Sequence, residues 1–353
     1  MQLCCELSIY LIGQSWDTEV FFKSMSNKSH ATARILAIAK FAILAAIVGW
    51  IVTTFPEKDW DALVAQEKNW WLLAGAFLVL LVAHLITYWR WQILVRALDV
   101  PFRLTEAIRL GFLGTLLNMV SVGAVGGDVF KAIEAARTAD KKRAEVVASV
   151  LVDRAIGLLG LVLVAGLILS FAPSLSPRMK WIWIGALVMS AIGVSGLAVI
   201  VVAGHRVPIK WLIKIPIAGH VLHRVTHACM IFQGKPKLVV ELISSSIVVH
   251  CCLTTGCALT SNSLYADCPT LAQHFMTIPP AIAAATLPLT PGGVGIQEMA
   301  IQSLFQELPD LPKTYSGLIV AGVFRALMVS VALIGAVYYF IGMGSKRSVP
   351  AKN

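Results

Sequence analysis

Long runs of apolar residues constrain the fold of this chain more than any other sequence feature. A transmembrane helix needs about 20 predominantly apolar residues. Six runs approach that length: 35–53, 70–89, 155–172, 181–202, 238–259 and 316–342. Hydrophobic residues make up 58% of the 353 positions and charged residues only 14%, whereas about 25% are charged in soluble domains. The sequence therefore excludes a soluble enzyme, a disordered chain and a disulfide scaffold, and it predicts an all-α, polytopic membrane helix bundle.

Two further apolar stretches, 107–125 and 271–305, are interrupted by glycines or prolines. With the N-terminus in the cytoplasm, 23 of the 29 lysines and arginines fall in cytoplasmic segments and five fall outside. This asymmetry predicts cytoplasmic termini in a cell (inner) membrane protein. The topology requires each broken stretch to enter and leave on one side, the first from inside and the second from outside. We therefore expect two re-entrant elements, related as an inverted repeat, that meet and line a central site.

The ends of the chain differ from the apolar domain at 35–342. Residues 1–34 form an N-terminal extension, and residues 343–353 form a short basic tail that we expect in the cytoplasm. Met25 is followed by a short polar, basic segment and then by the first span, as at an ordinary inner-membrane start. We therefore expect translation to begin at Met25.

The net charge of +10 follows from the same positive-inside asymmetry, so we expect no nucleic-acid partner. Four potential metal ligands lack paired spacing and lie in an apolar stretch: His250, Cys251, Cys252 and Cys257. Three further histidines share one face of a helix: His220, His223 and His227. A zinc site there is the alternative to a helix lying on anionic headgroups, which we favour. We expect no metal and no cofactor.

The first glycine motif runs from Asn118 to Lys131 and contains Gly126, Gly127 and Asp128. Its glycines allow the backbone to bend and to approach polar groups closely. Asp128 is predicted to open a helix over 129–139. A plain helix cap and a carboxylate beside the cavity are both compatible with that position.

The second glycine motif, 287–298, repeats this design with Thr290, Gly292, Gly293 and Gly295 before the acid Glu298. An acid near a helix start is favoured by the helix dipole. The free N–H groups of such a turn can also hold a phosphate.

Three other charged residues lie at or inside predicted spans. Asp153 and Arg154 directly precede the span at 155–172, where Arg154 could also be a simple interfacial anchor. Arg325 lies within the last span. An ionisable group at that depth is costly and is by default functional or paired. Its best candidate partners are Glu298, Asp128 or a lipid phosphate, since the guanidinium group binds two oxygens at once.

The two glycine–acid motifs, the Asp–Arg pair and the arginine in the last span together resemble the lysylphosphatidylglycerol synthase transmembrane region. Members of this family are also described as flippase-like integral membrane proteins. The resemblance covers about residues 35–342, although residues 120–125 lack the proline usual in the family's first turn. It rests on the following residues: Asn118, Gly126, Gly127, Asp128, Asp153, Arg154, Pro288, Thr290, Gly292, Gly293, Gly295, Glu298 and Arg325. Apart from Pro288 and Gly295, we take these as candidate substrate-binding residues.

The resemblance implies movement of a lipid across the bilayer. In the fused synthases a cytoplasmic domain charges phosphatidylglycerol with lysine, but only a short tail follows the last span here, so we expect no catalysis. The expected partner is a membrane phospholipid or glycolipid. The first hypothesis is therefore a transporter of an anionic, aminoacylated or glycosylated lipid. The second is a membrane-embedded or accessory subunit of a lipid aminoacyl- or glycosyltransferase encoded elsewhere.

Overall fold

The computed structural model describes residues 67–121, 126–137, 139, 142–172, 175–203, 232–287, 290 and 292–345, with 49 and 64 as isolated positions. Regular structure within these residues is entirely helical. The helices are α1 (Trp70–Arg96), α2 (Leu104–Val120), α3 (Gly126–Ala136), α4 (Arg143–Ser170), α5 (Pro177–Ala203), α6 (Pro236–Leu264), α7 (Leu271–Ala285), α8 (Ile296–Phe305) and α9 (Gly317–Ser345).

Helices α1, α4, α5, α6 and α9 are long and apolar enough to cross a membrane, and they coincide with five of the six predicted spans. The chain is therefore a multi-pass membrane protein. Apart from residue 49, the other predicted span, 35–53, lies outside the described residues. The same holds for residues 1–34 with Met25, the three histidines at 220–227 and residues 346–353 of the tail.

The start of α4 differs from the prediction, because this helix begins at Arg143, well before residue 155. Asp153 and Arg154 therefore lie inside the helix and not in front of it. Asp153 is buried and forms an ion pair with an arginine of α1. A charge normally marks the end of a membrane-spanning segment because burying it is costly. The ion pair of Asp153 reduces that cost, so the helix can continue through this position.

The first broken stretch forms the helix pair α2 and α3. The helix after the bend begins at Gly126, three residues before the predicted start, and Asp128 is its third residue and not its cap. On the flanks of this pair, Lys142 Nζ donates to the carbonyl of Leu98 at 2.7 Å. The chain thus enters and leaves the α2–α3 hairpin at the C-terminal end of α1.

The second broken stretch forms the pair α7 and α8. Pro279 and Pro280 lie inside α7 and do not end it. The helix ends at Ala285, and α8 begins at Ile296, so the break lies between them. On the flanks, the Ser316 N–H donates to Tyr265 Oη at 3.3 Å. Nearby, the Asn69 N–H at the start of α1 donates to the Ser263 carbonyl at 2.9 Å. The chain therefore enters and leaves the α7–α8 hairpin near the N-terminal end of α1.

The main hydrophobic core joins α1, α6, α7, α8 and α9, with Leu80, Tyr88, Ile278, Phe305 and Phe324 among its buried members. Since a residue rises about 1.5 Å along a helix, the two ends of α1 are about 40 Å apart. The flanks of the two hairpins thus lie near opposite ends of α1. Helix α5 lies at the periphery, since only 11% of its most apolar 18-residue stretch is buried.

Candidate functional site

The bend of the first hairpin depends on two glycines that let helices touch. A Cβ atom on Gly127 would lie 1.8 Å from the Gly114 carbonyl oxygen of α2. Real Cβ atoms never come so close, so α2 and α3 can cross here only because Gly127 has no side chain. Asn118 Oδ1 accepts from the Gly127 N–H at 2.8 Å, and Ser121 Oγ accepts from the Gly126 N–H at 3.0 Å. These side chains satisfy N–H groups at the start of α3.

Asp128 lies directly after this bend and binds two cations. Lys131 Nζ is 3.0 Å from one carboxylate oxygen, and Arg154 Nε of α4 donates to the other. Asp128 is 7% exposed, while 52% of the Arg154 side chain is exposed. Asp128 therefore lies between two cations, one on its own helix and one on α4.

The bend of the second hairpin consists of glycines in the left-handed region. Gly292, Gly293 and Gly295 have φ angles of 58°, 70° and 84°, which glycine adopts at little cost. The Gly295 N–H donates to Glu298 Oε2 at 2.7 Å. The bend is thus joined to the acid in the first turn of α8.

Arg325 of α9 binds both the acid and the bend of the second hairpin. Its Nε donates to Glu298 Oε1 at 2.7 Å, and its Nη1 and Nη2 donate to the carbonyls of Gly292 at 3.1 Å and Gly293 at 3.2 Å. Only 6% of its side chain is exposed. Of the partners proposed from the sequence, Glu298 is the one that Arg325 contacts.

The tips of the two hairpins meet. The Gly292 N–H donates to the Ser121 carbonyl at 3.2 Å, and a Cβ on Gly292 would lie 2.8 Å from the Met119 carbonyl oxygen. In the same motif, Thr290 Oγ1 is buried and has no hydrogen-bond partner among the described residues. The structure therefore joins the glycine motifs, as the sequence predicted, while Asp128 and Glu298 belong to separate ion-pair clusters.

Asp153 has a partner that sequence reasoning missed. Arg90 Nε of α1 lies 2.8 Å from Asp153 Oδ1, and Arg90 Nη2 donates to the Asp153 carbonyl at 3.3 Å. Both residues are 4% exposed. In the sequence, Arg90 counted only as one of the cytoplasmic basic residues. Its neighbours Trp89 and Trp91 are typical of a membrane interface, so no signal for this buried pair is present in the sequence.

The pairs Asp128–Arg154 and Glu298–Arg325, called the acid–arginine pairs below, occupy matching positions in the two hairpins. Asp128 and Glu298 are each the third residue of the second helix of a hairpin. Each binds an arginine on the next long helix, 26 residues later for Arg154 and 27 residues later for Arg325. Among the described residues, no group of three metal-binding side chains lies close together.

A family model described as Lysylphosphatidylglycerol synthase TM region matches residues 37–335. The match includes both hairpins, both acid–arginine pairs and most of α9. It confirms the resemblance inferred from the sequence motifs. No significant match was found among curated proteins or among solved structures.

Proposed function

This chain belongs to the lysylphosphatidylglycerol synthase transmembrane-region family, and on that premise we propose that it is a flippase-like transporter. It moves an anionic, aminoacylated or glycosylated lipid between the leaflets of the cell membrane. The observation that supports the proposal is the contact between the two hairpins at Ser121 and Gly292, each hairpin carrying an acid that binds an arginine of the next long helix.

The proposed architecture is an inverted repeat of two halves. The first half comprises the apolar segment 35–53, α1, the α2–α3 hairpin and α4, and the second comprises α5, α6, the α7–α8 hairpin and α9. The matching acid–arginine spacings support this division. Interrupted helices at corresponding positions of two inverted halves are typical of transporters with a central substrate site. Both hairpins are then re-entrant elements, and both termini are cytoplasmic.

In this mechanism the two arginines receive the lipid phosphate in turn. A guanidinium group can bind two phosphate oxygens, as it binds a carboxylate. Exchange of carboxylate for phosphate keeps the buried cation paired throughout, which matters because an unpaired charge at membrane depth is costly. The half-exposed Arg154 and the buried Arg325 would then represent an accessible and an occluded half-site. The carboxylates favour a cationic headgroup when the lipid is aminoacylated.

The test is a leaflet-accessibility assay with the purified protein in liposomes. Fluorescent analogues of phosphatidylglycerol, lysylphosphatidylglycerol and a glycolipid are incorporated one at a time, and the fraction that a membrane-impermeant quencher reaches is followed over time. We expect movement of at least one analogue, with none in protein-free vesicles or with Arg325→Ala. If a folded preparation moves none of these lipids, the transport proposal fails. That result would support the accessory-subunit hypothesis, which predicts movement or modification only with a separate transferase.

A further inference from the structure

An apolar crevice of about 330 Å³ lies between α4, α5, α7 and α8, outside the two acid–arginine clusters. Small residues form much of its wall, among them Ala165, Gly185, Ala186, Ala283 and Ala284. Their side chains are too short to fill the space between the helices. Gly185 lines the crevice and is itself exposed, so the crevice reaches the surface of the protein.

The surface around this opening is the one that membrane lipids cover. Exposed apolar residues on α5 near the opening include Ile184, Leu187, Val188 and Met189. In a membrane protein such a surface contacts acyl chains. An apolar crevice that opens onto it is therefore within reach of a lipid tail and is unsuited to a polar solute.

A cation lies at the same crevice. Arg178, the second residue of α5, lines it and forms an exposed ion pair with Glu307, with Nη1 3.3 Å from Oε1. Basic residues are scarce at this end of the predicted topology, where the sequence has five, yet Arg178 and Lys180 both lie at the start of α5. An exposed ion pair contributes little to stability, so a phosphate can replace Glu307 as the partner of Arg178 at small cost.

We infer that this crevice binds one acyl chain of an anionic phospholipid, whose phosphate is held by Arg178. The apolar walls accept the tail, and the guanidinium group at the helix start accepts the headgroup. The site lies on the α7–α8 hairpin flank and uses neither Arg154 nor Arg325. Binding there does not depend on the proposed transport.

The experiment uses the full chain in phosphatidylcholine vesicles that contain phosphatidylglycerol with a diazirine in its acyl chain. After illumination, mass spectrometry locates the attached lipid, and we expect it on peptides that contain Ala186 and Ala283. Gly185→Phe should reduce this labelling severalfold, because a Cβ at Gly185 meets no described residue within 4 Å and the ring can occupy the crevice. Gly196→Phe is the matched control on the same helix. A Cβ there also has no neighbour within 4 Å in the described part of the chain, and this variant should leave labelling unchanged.

The charge is tested with Arg178→Gln, which should reduce phosphatidylglycerol labelling about fivefold, the effect of one basic residue near anionic lipid. Labelling by a phosphatidylcholine probe should change less. Lys180→Gln, at the same helix start but outside the crevice lining, should have a smaller effect than Arg178→Gln. Unchanged labelling in Gly185→Phe or in Arg178→Gln would overturn the inference. An Arg325→Ala protein that moves no lipid should still be labelled, which separates this test from that of transport.

Discussion

Removal of the Arg325 guanidinium should stop lipid movement even when the protein remains folded. Arg325→Met leaves Glu298 Oε1 and the carbonyls of Gly292 and Gly293 without the donors that they have in the structure. Removing one partner of a buried ion pair costs about 3–5 kcal/mol, because the other charge stays buried and uncompensated. The single variant should therefore be less stable as well as inactive.

The double variant Arg325→Met/Glu298→Gln separates these two effects. It removes both charges together, so that neither charge stays buried without a partner, which is the main cost of breaking a buried ion pair. We therefore expect the double variant to regain most of the thermal stability lost in Arg325→Met. Lipid movement should remain at least about tenfold slower than in the wild type, since a hydrogen bond to a charged group contributes about 1.5–3 kcal/mol.

Thermal unfolding in detergent and the leaflet-accessibility assay are measured on the same preparations. Arg325→Lys should restore part of the activity, because an ammonium group is a point charge that loses the two-oxygen contact. A double variant with wild-type stability and wild-type lipid movement would refute the reasoning. Arg325 would then serve only to hold α9 against the α7–α8 hairpin.

Three further predictions concern topology and folding. Cysteines at positions 141 and 313 should react with a membrane-impermeant reagent from opposite sides, and labelling from the same side would exclude the inverted-repeat topology. Gly127→Ala should destabilise the protein by about 1–3 kcal/mol or more in thermal unfolding, as overpacking does, because its Cβ would clash with the Gly114 carbonyl. The control Gly196→Ala should leave stability unchanged, because its Cβ would meet no described residue within 4 Å. Asp153→Asn should lower the unfolding temperature, since it leaves a buried arginine without its carboxylate; an unchanged unfolding temperature would show that this pair adds nothing to the fold.

The spans and their interruptions could be predicted because they depend on local properties of the chain. A run of apolar residues long enough to cross a bilayer is visible without knowledge of its neighbours. Five predicted spans coincide with long helices, and both glycine motifs lie where helices break. The helix starts were less accurate, as at α3, because Asn118 and Ser121 satisfy N–H groups at the start of this helix from nine and five residues earlier.

Arg325 was recognisable from the sequence alone as a charge that needs a partner, because it lies within an apolar span. The sequence left Glu298, Asp128 and a lipid phosphate as candidate partners, and Arg325 binds Glu298 in the structure.

The remaining pairs were decided by the tertiary structure. Asp153 binds Arg90, 63 residues away, and Asp128 binds Arg154 of another helix. Which charges meet depends on how far each helix is rotated and shifted against its neighbours, and apolar periodicity says little about this in helices that are hydrophobic on all sides. The sequence thus determined that the chain spans a membrane and where its helices break. Only the packing of α2 against α3, and of one hairpin tip against the other, determined which groups lie together at the candidate site, because those contacts depend on backbone approach at Gly127 and Gly292.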